Sequence, residues 1–248
     1  MSKDDRPRHW WHQARERLVL DTISRLTRRG PAMIMDVGCG DGGLLPKLAR
    51  YGHVNGVESD ERTLCDEGPF RDHIFTKPLG HASYRQMRFD VMTALDVIGR
   101  MRDDWQAVID MTAMLKVGGH LVVTAPARIL PWSGDDEGGG DVYRYTAMGL
   151  RGLLEPHGRI VELRHIFHSQ WLPQLVGGGS ESWPADDGEA KGTKRGAVNQ
   201  VLTCASIIEH RITQWLPLPF GTWLLAVIEK PVEAPLAESG YAPAVPAA

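Results

Sequence analysis

The chain predicts an α/β fold, a mostly parallel sheet with helices on both faces. Three observations predict it. Apolar strand-like runs alternate with amphipathic stretches from residue 9 to residue 166. The buried-looking run Met33, Ile34, Met35 and Val37 breaks into Gly38, Gly40, Gly42 and Gly43, as a strand does when it turns tightly into a helix. The segment "RFDVMTALDVI" (88–98) alternates and then becomes wholly apolar, as a central strand covered on both faces does. With 248 residues and 42% apolar content, the chain can bury a substantial core in one large domain.

The elements follow in order. Residues 9–28 place Trp10, Trp11, Ala14, Leu18, Ile23 and Leu26 on one helical face, and "RRGP" stops the helix. A strand at 33–37, a helix at 43–51 and a strand at 53–58 ending on an acid come next, then a weak strand at 73–76. The helix 103–115 opens on Asp103 and Asp104, which suit the positive end of its dipole. A strand at 120–126, a helix at 147–158 closed by Gly158 and a strand at 159–166 complete the regular alternation. Residues 177–197 are rich in Gly, Ser and charge and read as a loop. An amphipathic helix is expected at 198–215, its stripe formed by Val198, Val201, Leu202, Ala205, Ile208, Ile212 and Trp215. A last strand at 221–230 precedes a Pro/Ala-rich tail from Pro231 that reads as disordered. No internal repeat is present.

Composition narrows the function. A net charge of −3 gives no global case for a nucleic-acid or anionic-membrane partner. The first 29 residues carry eight Lys/Arg against four acids, interleaved with apolar residues as on a solvated helix face. Cys39, Cys65 and Cys204 are widely spaced, and the pairs His9/His12 and His165/His168 lack nearby ligands, so neither a disulfide framework nor a metal site is indicated. No signal-peptide core and no 18-residue apolar span occurs, so the expectation is a cytoplasmic protein without stable membrane insertion. The oligomeric state is left open.

The glycine turn suits two cofactor classes, dinucleotides and S-adenosylmethionine. Gly38, Gly40 and Gly43 satisfy GxGxxG, and Glu58 lies 20 residues past Gly38, as in nicotinamide-binding proteins. Three features point the other way. Asp36 puts a carboxylate beside the turn, which repels a pyrophosphate and attracts an ammonium. The "KVGG" turn feeds the strand "HLVVTAP" across from the motif. The sheet also closes with two strands joined by an insertion, not with a second nucleotide-binding half.

The stretches "MDVGCGDGG", "VNGVESDE", "FDVMTALDVI", "DDWQAVIDMTAMLKVGGHLVVTAPA" and "YRYT" together resemble class I S-adenosylmethionine-dependent methyltransferases of the ubiquinone-biosynthesis-like type 11/type 23 group. The likeness covers roughly residues 9–230; "HWWHQAR" and "LPFGTWLLAVIEK" resemble one bacterial subgroup. It implies a Rossmann-like sheet of seven strands, the last antiparallel. The domain would run over 1–230, with a small helical cover built from helix 9–28 and the insertion 167–216. It implies S-adenosylmethionine as cofactor and a small-molecule acceptor. Gly38 and Gly40 would let the backbone approach the cofactor, with Cys39 small enough to fit between them. Asp36 would bind the methionine ammonium and Glu58 the ribose hydroxyls, with Gly42, Ser59, Leu79, Leu95 and Asp96 completing the cofactor set. Asp96 and Tyr145 are the catalytic candidates.

Departures from the group's pattern cluster on the acceptor side. Gly99-Arg100 stand where relatives have Glu-His, and Asp135-Asp136 and Gly140-Asp141 stand where relatives carry histidines. The acidic loop 133–142 reads either as a sign of a cationic acceptor or as a solvated loop. His168 and Trp171 are further candidates for the acceptor pocket. Loss of catalysis with retention of cofactor binding, and a nicotinamide-dependent oxidoreductase, are the alternative functions.

Overall fold

The computed structural model describes residues 10–64, 70–81, 83, 84, 86–128, 143–168, 204, 206, 208–210, 212, 213 and 218–231. The tail beyond residue 231, the loop 177–197, the acidic loop with Asp135, Asp136 and Asp141, and Trp171 lie outside them. Helix α1 (Trp10–Leu26) leads into β1 (Ala32–Val37), and the short α2 (Leu45–Leu48) leads into β2 (Gly52–Val57). Then come β3 (Ile74–Phe75), β4 (Phe89–Leu95), α3 (Asp104–Met114), β5 (Leu115–Pro126), α4 (Ala147–Leu154), β6 (Arg159–Ile166) and β7 (Trp223–Glu229). The seven strands form one sheet in the order β3-β2-β1-β4-β5-β7-β6. Neighbours from β3 to β5 are parallel, and β7 runs antiparallel to both β5 and β6. The order reverses beside β1, so the crevice at the carboxyl ends of β1 and β4 is where such a sheet binds ligands.

Successive side chains of a strand point to opposite faces, and the core divides accordingly. Ile34, Val91 and Val122 pack with Ala14, Leu18, Val19 and Ile23 of α1, all buried. Met35, Met92 and Val123 pack with Val108 and Met111 of α3 and Leu150 and Leu154 of α4. Polar ties fix α1 at both ends: Arg15 to Asp96 at the end of β4, and Arg25 to Glu162 of β6 at 2.9 Å.

Several boundaries differ from the sequence expectation. The expected helix 43–51 is only Leu45–Leu48 followed by a tight turn at Ala49–Tyr51. Gly52 then starts β2 at φ 153°, where a Cβ would fall 1.9 Å from the Ala32 carbonyl oxygen. Strand β4 stops at Leu95, not 98, because Asp96 adopts φ 59°, which no strand continues through. Strand β5 begins at Leu115 because Leu115 pairs with Phe89 before the register shifts. Helix α4 ends at Leu154, where Pro156 enters a 3-10 turn.

The largest correction concerns the helix expected at 198–215. Residues 204, 206, 208–210, 212 and 213 are helical, and among them the buried ones are Ser206, His210 and Thr213. Ile208 and Ile212, members of the expected core stripe, are 58% and 61% exposed. The reason lies on β6. Its buried Arg164 needs polar partners, and His210 supplies one through its Nδ1 at 3.0 Å. A polar strand end thus selects the polar face of the helix. Among the described residues no helix is long and apolar enough to cross a membrane.

Candidate active site

The loop after β1 wraps over the end of β2: the amides of Gly38 and Cys39 both donate to the Val57 carbonyl, at 2.7 and 3.2 Å. Two glycines in the loop have different reasons. A Cβ at Gly38 (φ 72°) would lie 2.5 Å from Val97 Cγ2, so this position admits only hydrogen. A Cβ at Gly40 (φ 55°) would meet nothing within 4 Å, so here the bare backbone faces open space on the crevice side. Gly42 packs against Ile74. Cys39 sits over Gly56, and burial followed by the charges of Asp36 and Glu58 pushes its thiol pKa up. It stays a thiol and offers no nucleophile.

Glu58, one residue past β2, spans this turn. Its Oε2 accepts from the Gly40 amide at 3.1 Å and its Oε1 from the Asp60 amide at 2.9 Å, while its own amide bonds to Phe75 of β3. A carboxylate has about four acceptor positions, so two remain for hydroxyl donors. Ser59 beside it is exposed.

Asp36 lies in the penultimate position of β1, 3% exposed, in register with Gly56 and Thr93. Burial raises its pKa to about 6 against the opposing hydrogen bond from Thr93 Oγ1 at 2.6 Å and the charge of Arg15; Glu58 adds to the rise. A buried carboxyl with one hydroxyl donor attracts a cation strongly.

Asp96 departs most from its expected setting. Oδ2 accepts from Arg15 of α1, and Oδ1 accepts from Thr124 Oγ1 at 2.8 Å and Trp223 Nε1 at 2.9 Å. The carboxylate therefore links α1, β4, β5 and β7 at the crevice. Tyr145 is likewise engaged: it is buried, and its hydroxyl donates to Asp104 Oδ2 at 2.6 Å. Burial and that carboxylate push its pKa up, so it stays protonated. Leu79 and Leu95 are half-buried.

The Gly99 departure has a steric counterpart. A Cβ there would lie 2.4 Å from the Tyr143 carbonyl oxygen, and the Tyr143 amide donates to Gly99 O at 2.7 Å. The Tyr143–Tyr145 segment docks through this gap, its rings edge-on at 4.7 Å. Among the described residues no cluster of His, Cys, Asp and Glu is grouped to hold a metal ion. Sequence reading missed Arg15, Thr93, Thr124 and Trp223. Only Thr93 and Thr124 carried a signal, each a lone polar residue in an apolar central strand.

A family model described as "Methyltransferase domain" matches residues 10–170. The Ubiquinone biosynthesis O-methyltransferase of Aromatoleum aromaticum is 27% identical over 131 residues, 45% of this chain and 55% of that protein. The match thus spans about half the length of this curated relative. The crystal structure of the [4+2]-cyclase SpnF is similar with a TM-score of 0.57 and 19% identity, over 92% of this chain and 86% of that one. The plantazolicin methyltransferase BpumL, in complex with a triazolic desmethylPZN analog and SAH, also gives a TM-score of 0.57, at 12% identity over 92% and 88%. These two likenesses concern the fold, whereas the family match covers most of the chain: it belongs to the methyltransferase domain family, within the class I S-adenosylmethionine-dependent type 11/type 23 group.

Proposed function

We propose that this chain methylates a small-molecule acceptor with S-adenosylmethionine bound in the crevice beside β1. The observation that carries the reading is the combination of Asp36, the open backbone at Gly40 and Glu58 around one turn. The set fits that cofactor. Asp36 offers a buried anion to the methionine ammonium, and Glu58 keeps acceptor positions for ribose hydroxyls. Gly38, Cys39 and Gly42 shape the loop, and Ser59, Leu79 and Leu95 belong to the same rim.

The cofactor supplies an activated methyl group, so the protein's tasks are alignment and exclusion of water. Asp96, with both oxygens engaged, acts in this proposal as the post that holds α1 over the crevice. Tyr145 places the rim through Asp104. In this reading residues 1–230 form one domain whose cover includes α1 and the helical residues near 204–213, and its setting is the cytoplasm.

Calorimetry with S-adenosylmethionine, S-adenosylhomocysteine and NAD tests the cofactor, with binding of the first two expected in the micromolar range, on the order of −8 kcal/mol. Mass spectrometry of extracts incubated with the protein and isotope-labelled cofactor identifies acceptors. Preference for NAD in competition overturns the assignment.

A further inference from the structure

The opposite end of the sheet holds a cavity that the methyl-transfer reading leaves unused. An open groove of about 690 Å³ runs across the amino ends of the parallel strands, far from the crevice at their carboxyl ends. Its walls are the turn 27–30 after α1, the bend 117–119 of β5, and the outer ends of β1, β4, β6 and β7. A groove of this volume lies in the range of small-molecule sites.

Charge is not balanced within it. The two acids among the described lining residues, Asp90 and Glu229, are already matched. Lys116 Nζ donates to both Asp90 oxygens, at 2.8 and 2.9 Å, and Arg159 pairs with Glu229. Arg25 is held by Glu162 at 2.9 Å. Arg28 and Arg29 differ: both are exposed, and neither has an ion pair or hydrogen bond through its side chain among the described residues. Two adjacent guanidiniums therefore face the groove with their charge unmet. The main chain beside them is bare. At Gly30 (φ 138°) and at Gly118 (φ 73°) a Cβ would meet nothing within 4 Å, so a ligand can approach the backbone at both. Both walls are preformed. The Gly30 amide donates to Thr27 O at 3.2 Å, and Gly118 and Gly119 exchange bonds with Lys230 at 2.9 and 2.8 Å. Val117, 59% exposed, adds an apolar shoulder.

We propose that this groove is a binding site for a small diphosphate-bearing ligand, separate from the cofactor crevice. Arg28 and Arg29 stand next to each other in one turn, and each guanidinium presents a planar fork that pairs two phosphate oxygens. A diphosphate offers two such groups in succession. A single carboxylate engages one fork and leaves the second charge unmatched. Val117 receives the apolar portion when the diphosphate is carried as an ester. The site binds its ligand, and no bond is made or broken there.

The test titrates the full chain with pyrophosphate and with ADP by calorimetry at low ionic strength, because exposed charges are screened by salt. Sub-millimolar binding is expected. Equal affinity for the two probes marks the free diphosphate as the source, and tighter binding of ADP marks an ester seated against Val117. The double substitution Arg28→Ala/Arg29→Ala is expected to weaken binding by about tenfold or more through lost charge-assisted bonds. Its unfolding temperature is expected to match that of the unaltered chain, since neither side chain is paired. Arg28→Lys/Arg29→Lys keeps the charge but loses the forks, and its affinity is expected to fall between the two. Amide NMR separates this groove from the cofactor crevice: shifts on adding pyrophosphate are expected at Gly30, Gly118 and Gly119. Shifts confined to Gly40 and Glu58 overturn the proposal. So does unchanged affinity in the double alanine variant, or no binding of either probe at concentrations up to about 1 mM.

Discussion

Cofactor affinity is expected to fall as pH drops through about 6, and the cause is a single buried carboxyl. Burial holds the pKa of Asp36 at about 6, well above its ordinary 3.8. Below that value the group takes up a proton and presents a neutral acid to the cofactor's ammonium. With a pKa of about 6, about 97% of Asp36 is ionised at pH 7.5 and about 9% at pH 5. Binding that requires the anion therefore weakens about tenfold across this range, or about 1.4 kcal/mol. Calorimetry with S-adenosylhomocysteine from pH 5 to 7.5 measures this, and it also detects the proton released when bound ammonium draws the pKa down. Asp36→Asn is expected to bind weakly at pH 7.5 and to lose the pH dependence. Arg15→Met is expected to move the midpoint upward, because the Arg15 charge lowers the Asp36 pKa. A flat affinity profile in folded, unaltered protein refutes the reasoning.

Glu58→Ala is expected to weaken cofactor binding by about 1.5–3 kcal/mol through lost charge-assisted bonds while the fold persists, as calorimetry and circular dichroism will show. Asp96→Asn is expected to loosen α1, lowering stability to denaturant by about 1–3 kcal/mol because Arg15 loses a half-buried partner. Its single-turnover rate is expected to stay within about tenfold; a loss of roughly 10²–10⁴-fold makes Asp96 the base after all. Gly99→Ala is expected to destabilise the fold by about 1–3 kcal/mol, since its Cβ collides with the Tyr143 carbonyl, and thermal unfolding reads this. His210 has a pKa depressed to about 4 from 6.5, so its contribution to stability is present above 6.5 and lost as pH falls toward 4, about 3 kcal/mol in all. The raised pKa of Asp36 acts in the opposite sense, favouring the fold at low pH and losing that effect as pH rises through about 6. The two oppose each other between about 4 and 6, so Asp36→Asn is expected to make acid unfolding steeper than in the unaltered chain.

What the sequence alone determined follows from local spacing. The alternation of apolar runs defined seven strands, because a strand covered on both faces must be apolar throughout and the helices between must be amphipathic. The turn at Gly38–Gly43 and the acid at Glu58 were legible for the same reason. A glycine at positive φ, and the first residue after a parallel strand, hold positions set by a few neighbours along the chain.

Tertiary structure decided everything that joins distant positions. Asp96 was visible as a strand-end acid, but its partners Arg15 and Trp223 stand 81 and 127 residues away, and nothing in their local sequence points to it. The helix near residue 210 shows the same limit more sharply. Periodicity identified a helix and placed Ile208 and Ile212 on its buried face, whereas among the described residues the fold exposes these two and buries Ser206, His210 and Thr213. Apolar spacing measures what a helix buries against an apolar surface. Here the facing surface includes the polar end of β6, with Arg164 and His168 already buried there, and a buried charge or imidazole left unmatched costs more than two exposed isoleucines. Which surface a helix meets is a property of the assembled sheet, so the side of this helix that carries Glu209 to His168 emerges only once the strands are in place.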